Sequence, residues 1–253
     1  MTPPIALQLY TLRDQLAQDY EGTIRKVAEM GYTGVETANM FGSSPASAVK
    51  LFNKLGLTVT SAHSPLPLGD QKQEVIDTIG ALGCQRLIQA WQPPELFRSL
   101  DGIRKVCDSL NEASAVAKAN GFQVGYHNHW FEFEPVEDRI PTDVMLDYLD
   151  PDVFLEVDVY WVQTAGQNPA ETVRRLGSRA PLLHIKDGPC QIGAPMTALG
   201  EGVVDIPSVV AAGTGETEWF IAELDECATD MLEAVSKSYQ YLIERGLARG
   251  NKN

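Results

Sequence analysis

Eight apolar, β-type runs alternate with segments of helical periodicity along 253 residues, which predicts an α/β chain closed into a single (β/α)8 TIM barrel over 1–253. Three observations carry this prediction. The β-type runs number eight, as the barrel requires. The length matches the ~250 residues typical of such a barrel. No GxGxxG follows the first run, as a doubly wound dinucleotide-binding sheet would show.

The first strand reads IALQLY (5–10). Ile24, Val27, Ala28 and Met30 then fall at helical spacing within 20–30, with Gly31 as the stop. GVETA (34–38) is the second strand, followed by a helix over 45–55 that ends at Gly56. TVTSAH (58–63) precedes a helix over 71–82 ending at Gly83, and RLIQAW (86–91) precedes the longest helix, 99–119, ending near Gly121. After QVGYHNH (123–129) comes WFEFEPVEDRIP (130–141), the longest stretch without periodicity. A barrel would carry it as a loop on the active face. Shorter helices over 142–149, 169–178 and 206–212 follow, separated by the strands FLEVDVYW (154–161) and LLHIKD (182–187). The last strand, WFIAELD (219–225), leads to a helix over 229–245 stopped by Gly246, and the tail ARGNKN reads as a frayed end.

Composition narrows the function. A net charge of −14 lacks the basic footprint of a nucleic-acid binder and disfavours an anionic membrane surface. No apolar run is long enough to span a bilayer, and MTPPIALQLYTLRDQ lacks a basic stretch before an apolar one, so the expected address is cytoplasmic. Cys84, Cys107, Cys190 and Cys227 form no CxxC pair and read as reduced core cysteines.

All four histidines, His63, His127, His129 and His184, fall at the ends of strand-like runs, and Glu36, Asp158 and Glu223 repeat the habit. Alternation puts His127 with His129, Glu156 with Asp158, and His184 with Lys186 on shared faces. The outward face of a barrel strand packs under helices and should be apolar. The polar members therefore point inward, and the mouth is expected to hold Glu36, His63, Gln89, His127, His129, Asp158, His184, Lys186 and Glu223. Ionised groups so crowded repel or remain desolvated unless paired or bound to a cation. A divalent metal would resolve this for two carboxylates and two imidazoles. Lys186 could place a positive charge beside a developing enolate oxygen, or simply pair with a carboxylate. Glu201, in the Gly200-Glu201-Gly202 turn, could meet a sugar hydroxyl or be a plain surface turn. Trp91, Trp130, Phe131, Phe133 and Trp161 could stack on sugar faces. The Trp130–Phe133 stretch equally suits a loop tucked over the barrel or a homodimer contact.

With these residues in view, the chain resembles the sugar phosphate isomerase/epimerase superfamily, the xylose-isomerase-like TIM barrels. The likeness runs through LQLYTLRD, GYTGVE, YHNHWFEFEP, LEVDVYWV, LHIKDG, GEGVVDI and IAELDE in order. It implies a metal held by Glu, Asp, His and Glu on separate strands. Asp158, His184 and Glu223 match the last three, with Asp225 as the rival to Glu223. His127 stands at the first Glu position, in the YHNH form of one branch, and Trp161 replaces a His that many relatives carry. A mixed N/O set suits Mn, Co, Zn or Fe over Mg. The resemblance implies a metal-dependent isomerase or epimerase acting on a sugar or keto-sugar through an enediolate. His129, Lys186 and Glu223 would serve the chemistry, and Glu36, His63, Gln89, Trp161 and Glu201 the substrate. The rivals are a dehydratase or lyase on a keto-sugar, inosose or keto-glycoside, and a sugar-binding barrel without catalysis. An abasic-site endonuclease sits poorly with the charge.

Overall fold

Capping decides where two of the strands give way to a helical turn, and so where Gln8 and Asp158 end up. The computed structural model describes residues 2–251. The first half of the chain runs β1 (Ile5–Gln8), α1 (Arg13–Gln18), α2 (Tyr20–Met30), β2 (Gly34–Thr37), α3 (Pro45–Leu55), β3 (Thr58–His63), α4 (Lys72–Leu82), β4 (Arg86–Gln89) and α5 (Leu100–Ala119). The second half runs β5 (Gln123–His127), α6 (Pro141–Tyr148), β6 (Phe154–Asp158), α7 (Val159–Thr164), α8 (Pro169–Leu176), β7 (Leu182–Ile185), α9 (Ile206–Gly213), β8 (Trp219–Ala222) and α10 (Met231–Glu244). The eight strands pair in parallel in chain order, and β8 closes on β1 through Ile5↔Phe220 and Ala6↔Ile221.

Two apolar clusters follow from strand alternation. Ala6, Ile88, Phe154, Leu182 and Ile221 fill the inside of the barrel. Residues of the other parity, such as Leu7, Val35, Leu87, Val124, Val157 and Phe220, pack beneath the helices. Gly125 is inward and small for a reason: a Cβ there would come within 2.4 Å of the Phe154 ring.

The strands are shorter at their C-terminal ends than alternation suggests. β1 stops at Gln8 because its side chain accepts from the Tyr10 N–H and starts a short helical turn. β6 stops at Asp158 because that carboxylate accepts from the Tyr160 and Trp161 N–H groups and caps α7, a helix not anticipated from sequence. β4, β5, β7 and β8 likewise end two or three residues before the sequence pattern fades. The aperiodic 130–141 segment is no free loop. Phe131, Glu132 and Phe133 form a buried turn, and Phe131 and Phe133 join the core and not the mouth. The tail is ordered as far as it is described: the Arg249 N–H donates to Pro3 O at 2.9 Å and the Asn251 N–H to Gly31 O at 2.8 Å. The last two residues of ARGNKN lie outside the described part. Of the four unpaired cysteines, Cys84 and Cys107 are buried, while Cys190 and Cys227 are only half-buried. No described helix is long and apolar enough to cross a membrane.

Candidate metal centre

The inward side chains change from apolar to charged going up the barrel. Above Phe154 come Glu156 and Asp158, above Leu182 comes His184, and above Ile221 comes Glu223; β6 and β7 are registered so that Asp158 lies beside His184. His127, Asp158, His184 and Glu223 thereby form one buried group whose donor atoms lie within 4.8 Å of one another. A second group shares His184 and adds Glu36, His63 and Glu156.

His184 is held from both sides. Its Nδ1 meets Glu223 Oε2 at 2.6 Å, while its Nε2 meets Glu36 Oε1 at 2.6 Å and Glu156 Oε2 at 3.2 Å. Glu36 is itself fixed by Gln8 Nε2, which donates at 2.6 Å, and by the Ser61 hydroxyl. A carboxylate behind an imidazole orients the ring and fixes which nitrogen carries hydrogen. With an Nε2–H directed at Glu36 and Glu156, an Nδ1–H is left for Glu223, and Nδ1 is the nitrogen that would give up its proton to a metal. Asp158 divides its two oxygens in the same way. Oδ1 caps α7, and Oδ2 faces His127 Nε2 at 3.3 Å. The Asp158 backbone is clamped to β5, since its N–H donates to Asn128 Oδ1 at 3.0 Å and its carbonyl accepts from Asn128 Nδ2 at 3.3 Å.

The electrostatics are those of an enclosed charge cluster. Burial alone would raise the carboxyls of Glu36, Asp158 and Glu223, but neighbouring cations hold all three below the usual range: His63 and His184 at Glu36, Lys186 and the imidazoles at Asp158 and Glu223. Burial opposes the charge on His63, yet Glu36 and Glu156 push it up to about 10. His184 and Lys186 are raised by their carboxylate neighbours in the same way. The Lys186 ammonium is fully buried, 3.0 Å from Asp158, 2.8 Å from Glu223 and 2.9 Å from Asp225. His129 behaves in the opposite sense: burial, then its neighbours His127 and Lys186, push it down to about 3, so its imidazole is neutral.

The donor set fits a divalent ion. Two imidazole nitrogens and two carboxylate oxygens suit Zn, Mn, Fe or Co, and Mg less well. The 3.3 Å between His127 Nε2 and Asp158 Oδ2 matches the edge, about 3.3–3.6 Å, of a tetrahedron with bonds of about 2.0–2.2 Å, whereas the 2.6 Å between His184 Nδ1 and Glu223 Oε2 is a hydrogen bond that would open to that length around an ion. Lys186 is the competitor, because its ammonium occupies the same Asp158 and Glu223 oxygens. Asp225 gives it an alternative partner.

Most residues expected at the mouth are brought together there. Glu36, His63, His127, His184, Lys186, Asp158 and Glu223 form the cluster just described, and His129 lies above it, 5.1 Å from the His127 ring. Trp161 lines the same cavity, with its ring 5.7 Å from Lys186 Nζ and its Nε1 buried without a partner. Gln89 lines the same cavity but from its rim: Ile88 is the inward residue of β4, and Gln89 donates its amide to Trp91 O at 2.7 Å. Glu201 is not brought to the centre. It is exposed and faces Lys237 at 3.7 Å. The turn around it serves Asp187, whose carboxylate accepts from the N–H groups of Gly188, Gly200, Gly202 and Val204. At Gly202 a Cβ would lie 2.1 Å from Asp187 Oδ1, which explains the glycine.

Sequence reasoning missed Gln8, Glu132 and the role of Glu156. Alternation pairs Glu156 with Asp158 and Gln8 with Ala6, so both signals were present. Glu132 has no such signal, because it acts through Tyr126 and the His129 backbone.

Comparison with known proteins places the chain among barrels of this kind. A family sequence profile described as xylose isomerase-like TIM barrel matches residues 24–236. An inosose dehydratase from Geobacillus kaustophilus is 25% identical over 200 residues, covering 70% of this chain. The match spans 64% of that protein's length, under two thirds. A crystal structure of a sugar phosphate isomerase/epimerase from Parabacteroides distasonis superposes with a TM-score of 0.80 at 27% identity, covering 98% of this chain and 100% of that one. The IOLI protein, solved with a bound zinc atom, superposes with a TM-score of 0.74 at 15% identity, covering 96% of this chain and 97% of that one, a likeness of fold.

Proposed function

The chain belongs to the xylose isomerase-like TIM barrel family, and on that premise we propose that it is a divalent-metal-dependent isomerase or epimerase of a sugar or keto-sugar. The observation that carries the reading is the convergence of His127, Asp158, His184 and Glu223 in one buried group. The zinc in the IOLI structure and the sugar isomerase/epimerase from Parabacteroides support it.

An ion on those four residues supplies Lewis-acid polarisation of a carbonyl and its neighbouring hydroxyl, worth several kcal/mol as negative charge develops. The chain's own residues do the rest. Lys186 stays protonated among Asp158, Glu223 and Asp225 and places a fixed positive charge beside the developing enediolate. His129, neutral, with Nδ1 free of any protein partner, hydrogen-bonds a substrate oxygen; an imidazole held near 3 is too weak a base to take a carbon-bound proton. The base is the Asp225 carboxyl, which lines the cavity beside Lys186 and which burial raises above the usual aspartate value. Glu36, Glu156 and Gln8 keep His184 in register. Trp161 and Trp130, with rings 5.1 Å apart, wall the centre against water.

Elimination is the second reading, favoured by the likeness to inosose dehydratase. It shares the proton abstraction but loses a β-hydroxyl or another β-substituent. Elemental analysis of the purified protein beside Asp158→Ala and His184→Ala tests the metal: about one equivalent is expected, lost in both variants. Incubation of the Mn-loaded protein with keto-sugars and inososes in D2O, followed by NMR, then separates the outcomes. Deuterium at the α-carbon of an isomer supports the first reading, and an unsaturated product supports the second. Neither metal uptake nor exchange leaves only a binding barrel.

A further inference from the structure

The cavity above the centre is divided by strand number. β5 to β8 bring most of the ionisable groups, from His127 to Glu223, and His63 joins them from the end of β3. The segments after β1, β3 and β4 bring Tyr10, Leu66, Leu68 and Trp91 to the same cavity. Tyr10 is 41% exposed and Trp91 50% exposed, two of the three large aromatics that the described residues leave open to solvent. Single exposed apolar side chains are commonplace. These two share one cavity with the centre, and the Trp91 segment is stiff. Gln89 holds its carbonyl at 2.7 Å, and Pro93 and Pro94 follow.

Size and charge say what would cover them. The cavity is about 920 Å³, near the top of the range, about 300–1,000 Å³, that encloses drug-sized ligands. A lone hexose leaves much of it empty. Glu223, Asp225 and Glu226 line it, and Arg13 is the only Lys or Arg among its described lining residues. That guanidinium is already engaged: it donates to Tyr10 O at 3.1 Å and Asp225 O at 2.9 Å and lies 4.5 Å over the Tyr10 ring. His63, the other strongly basic group lining it, is already paired with Glu36 and Glu156, so a phosphate in this cavity would meet carboxylates and no free cation.

We propose that the ligand is a sugar carrying an uncharged aromatic substituent, with its polyhydroxylated head at the charged centre and its ring against Trp91, Tyr10 and the two leucines. The head rests on the sugar reading given above; the tail rests on the mouth alone. Aromatic stacking and apolar burial in a stiff site favour such a ligand over the bare or phosphorylated sugar.

Titration calorimetry on the Mn-loaded full chain tests this with D-glucose, glucose 6-phosphate, and phenyl α- and β-D-glucosides. One phenyl glucoside is expected to bind at least tenfold tighter than glucose and glucose 6-phosphate. Trp91→Ala should weaken the phenyl glucoside at least fivefold more than glucose, and Trp91→Phe, which keeps a ring, should retain most of the gain. Equal affinity for glucose and the phenyl glucosides, tighter binding of the phosphate, or a gain that survives Trp91→Ala overturns the inference and leaves the sugar reading standing. Binding of no sugar at all overturns both.

Discussion

Glu132 lies outside the metal-like group yet fixes the segment that carries His129. Its carboxyl oxygens meet the Tyr126 hydroxyl at 2.5 Å and the His129 N–H at 2.8 Å, and its carbonyl accepts from the Thr142 hydroxyl at 2.8 Å. Burial lifts this carboxyl from 4.5 to about 8, against the pull of those hydrogen bonds. Between these values the folded chain keeps a proton that the unfolded chain releases, so this residue makes stability fall as pH rises through that window. Glu132→Gln keeps an acceptor for the His129 N–H and offers a donor to Tyr126. Its thermal midpoint is expected to gain on the wild type from about pH 5 to about pH 8; parallel profiles in melts across that range would rule the idea out. Lys186 makes a different case, since its ammonium competes for the oxygens a metal would take. Lys186→Met leaves Asp158 and Glu223 without their partner, a loss of roughly 3–5 kcal/mol for a broken buried pair. The metal-free variant should melt lower, and saturating Mn should raise its midpoint more than it raises the wild type's. An equal rise in both proteins would remove Lys186 from the ion's neighbourhood.

At the scale of elements, the site rests on two caps and one wrapped loop. Asp187 gathers four backbone N–H groups at 2.8–3.1 Å and so folds 188–204 over the barrel end. In Asp187→Asn one of the two acceptor oxygens becomes an amide that faces N–H donors. Each N–H so orphaned costs roughly 1–3 kcal/mol. Limited proteolysis should then cut first within 188–204 while the far-ultraviolet spectrum stays that of the wild type, and an unchanged cleavage pattern would show that the loop has other support. The same contrast between local and distant partners explains what was legible in the sequence. Eight strands and eight main helices were readable, because alternation and glycine stops are local signals. Strand ends were not, because Gln8 and Asp158 stop their strands by capping turns that the apolar pattern runs through. His127, Asp158, His184 and Glu223 were identifiable from strand-end position and parity, with the family resemblance. Gln89 reaches the cavity from its rim and not from inside the barrel: parity was assigned from polarity, whereas Ile88 takes the inward place. Glu132 was invisible because it acts only through contacts made once the chain has folded.

For the whole molecule, the candidate ligands tie together four successive strands, β5 to β8, of a ring that closes only when β8 meets β1. An ion bound there is bound by the closed barrel and not by the unfolded chain, whose ligands are scattered between residues 127 and 223. Binding energy then adds to folding energy by mass action, about 2.7 kcal/mol when free metal is a hundred times its dissociation constant. In a chain of this length 1 kcal/mol moves the midpoint by roughly 2–4 °C. Mn or Zn at that excess should therefore raise the midpoint of the whole transition by about 5–10 °C. The rise should grow with the logarithm of metal concentration and be reversed by a chelator. The acidic chain attracts cations at many surface carboxylates, so the control is Asp158→Ala, which keeps that surface and removes one buried ligand. A rise confined to the wild type places the stabilising ion at the barrel mouth. The same rise in the variant assigns it to surface charge, and the buried cluster is then held by Lys186, His63 and His184 alone.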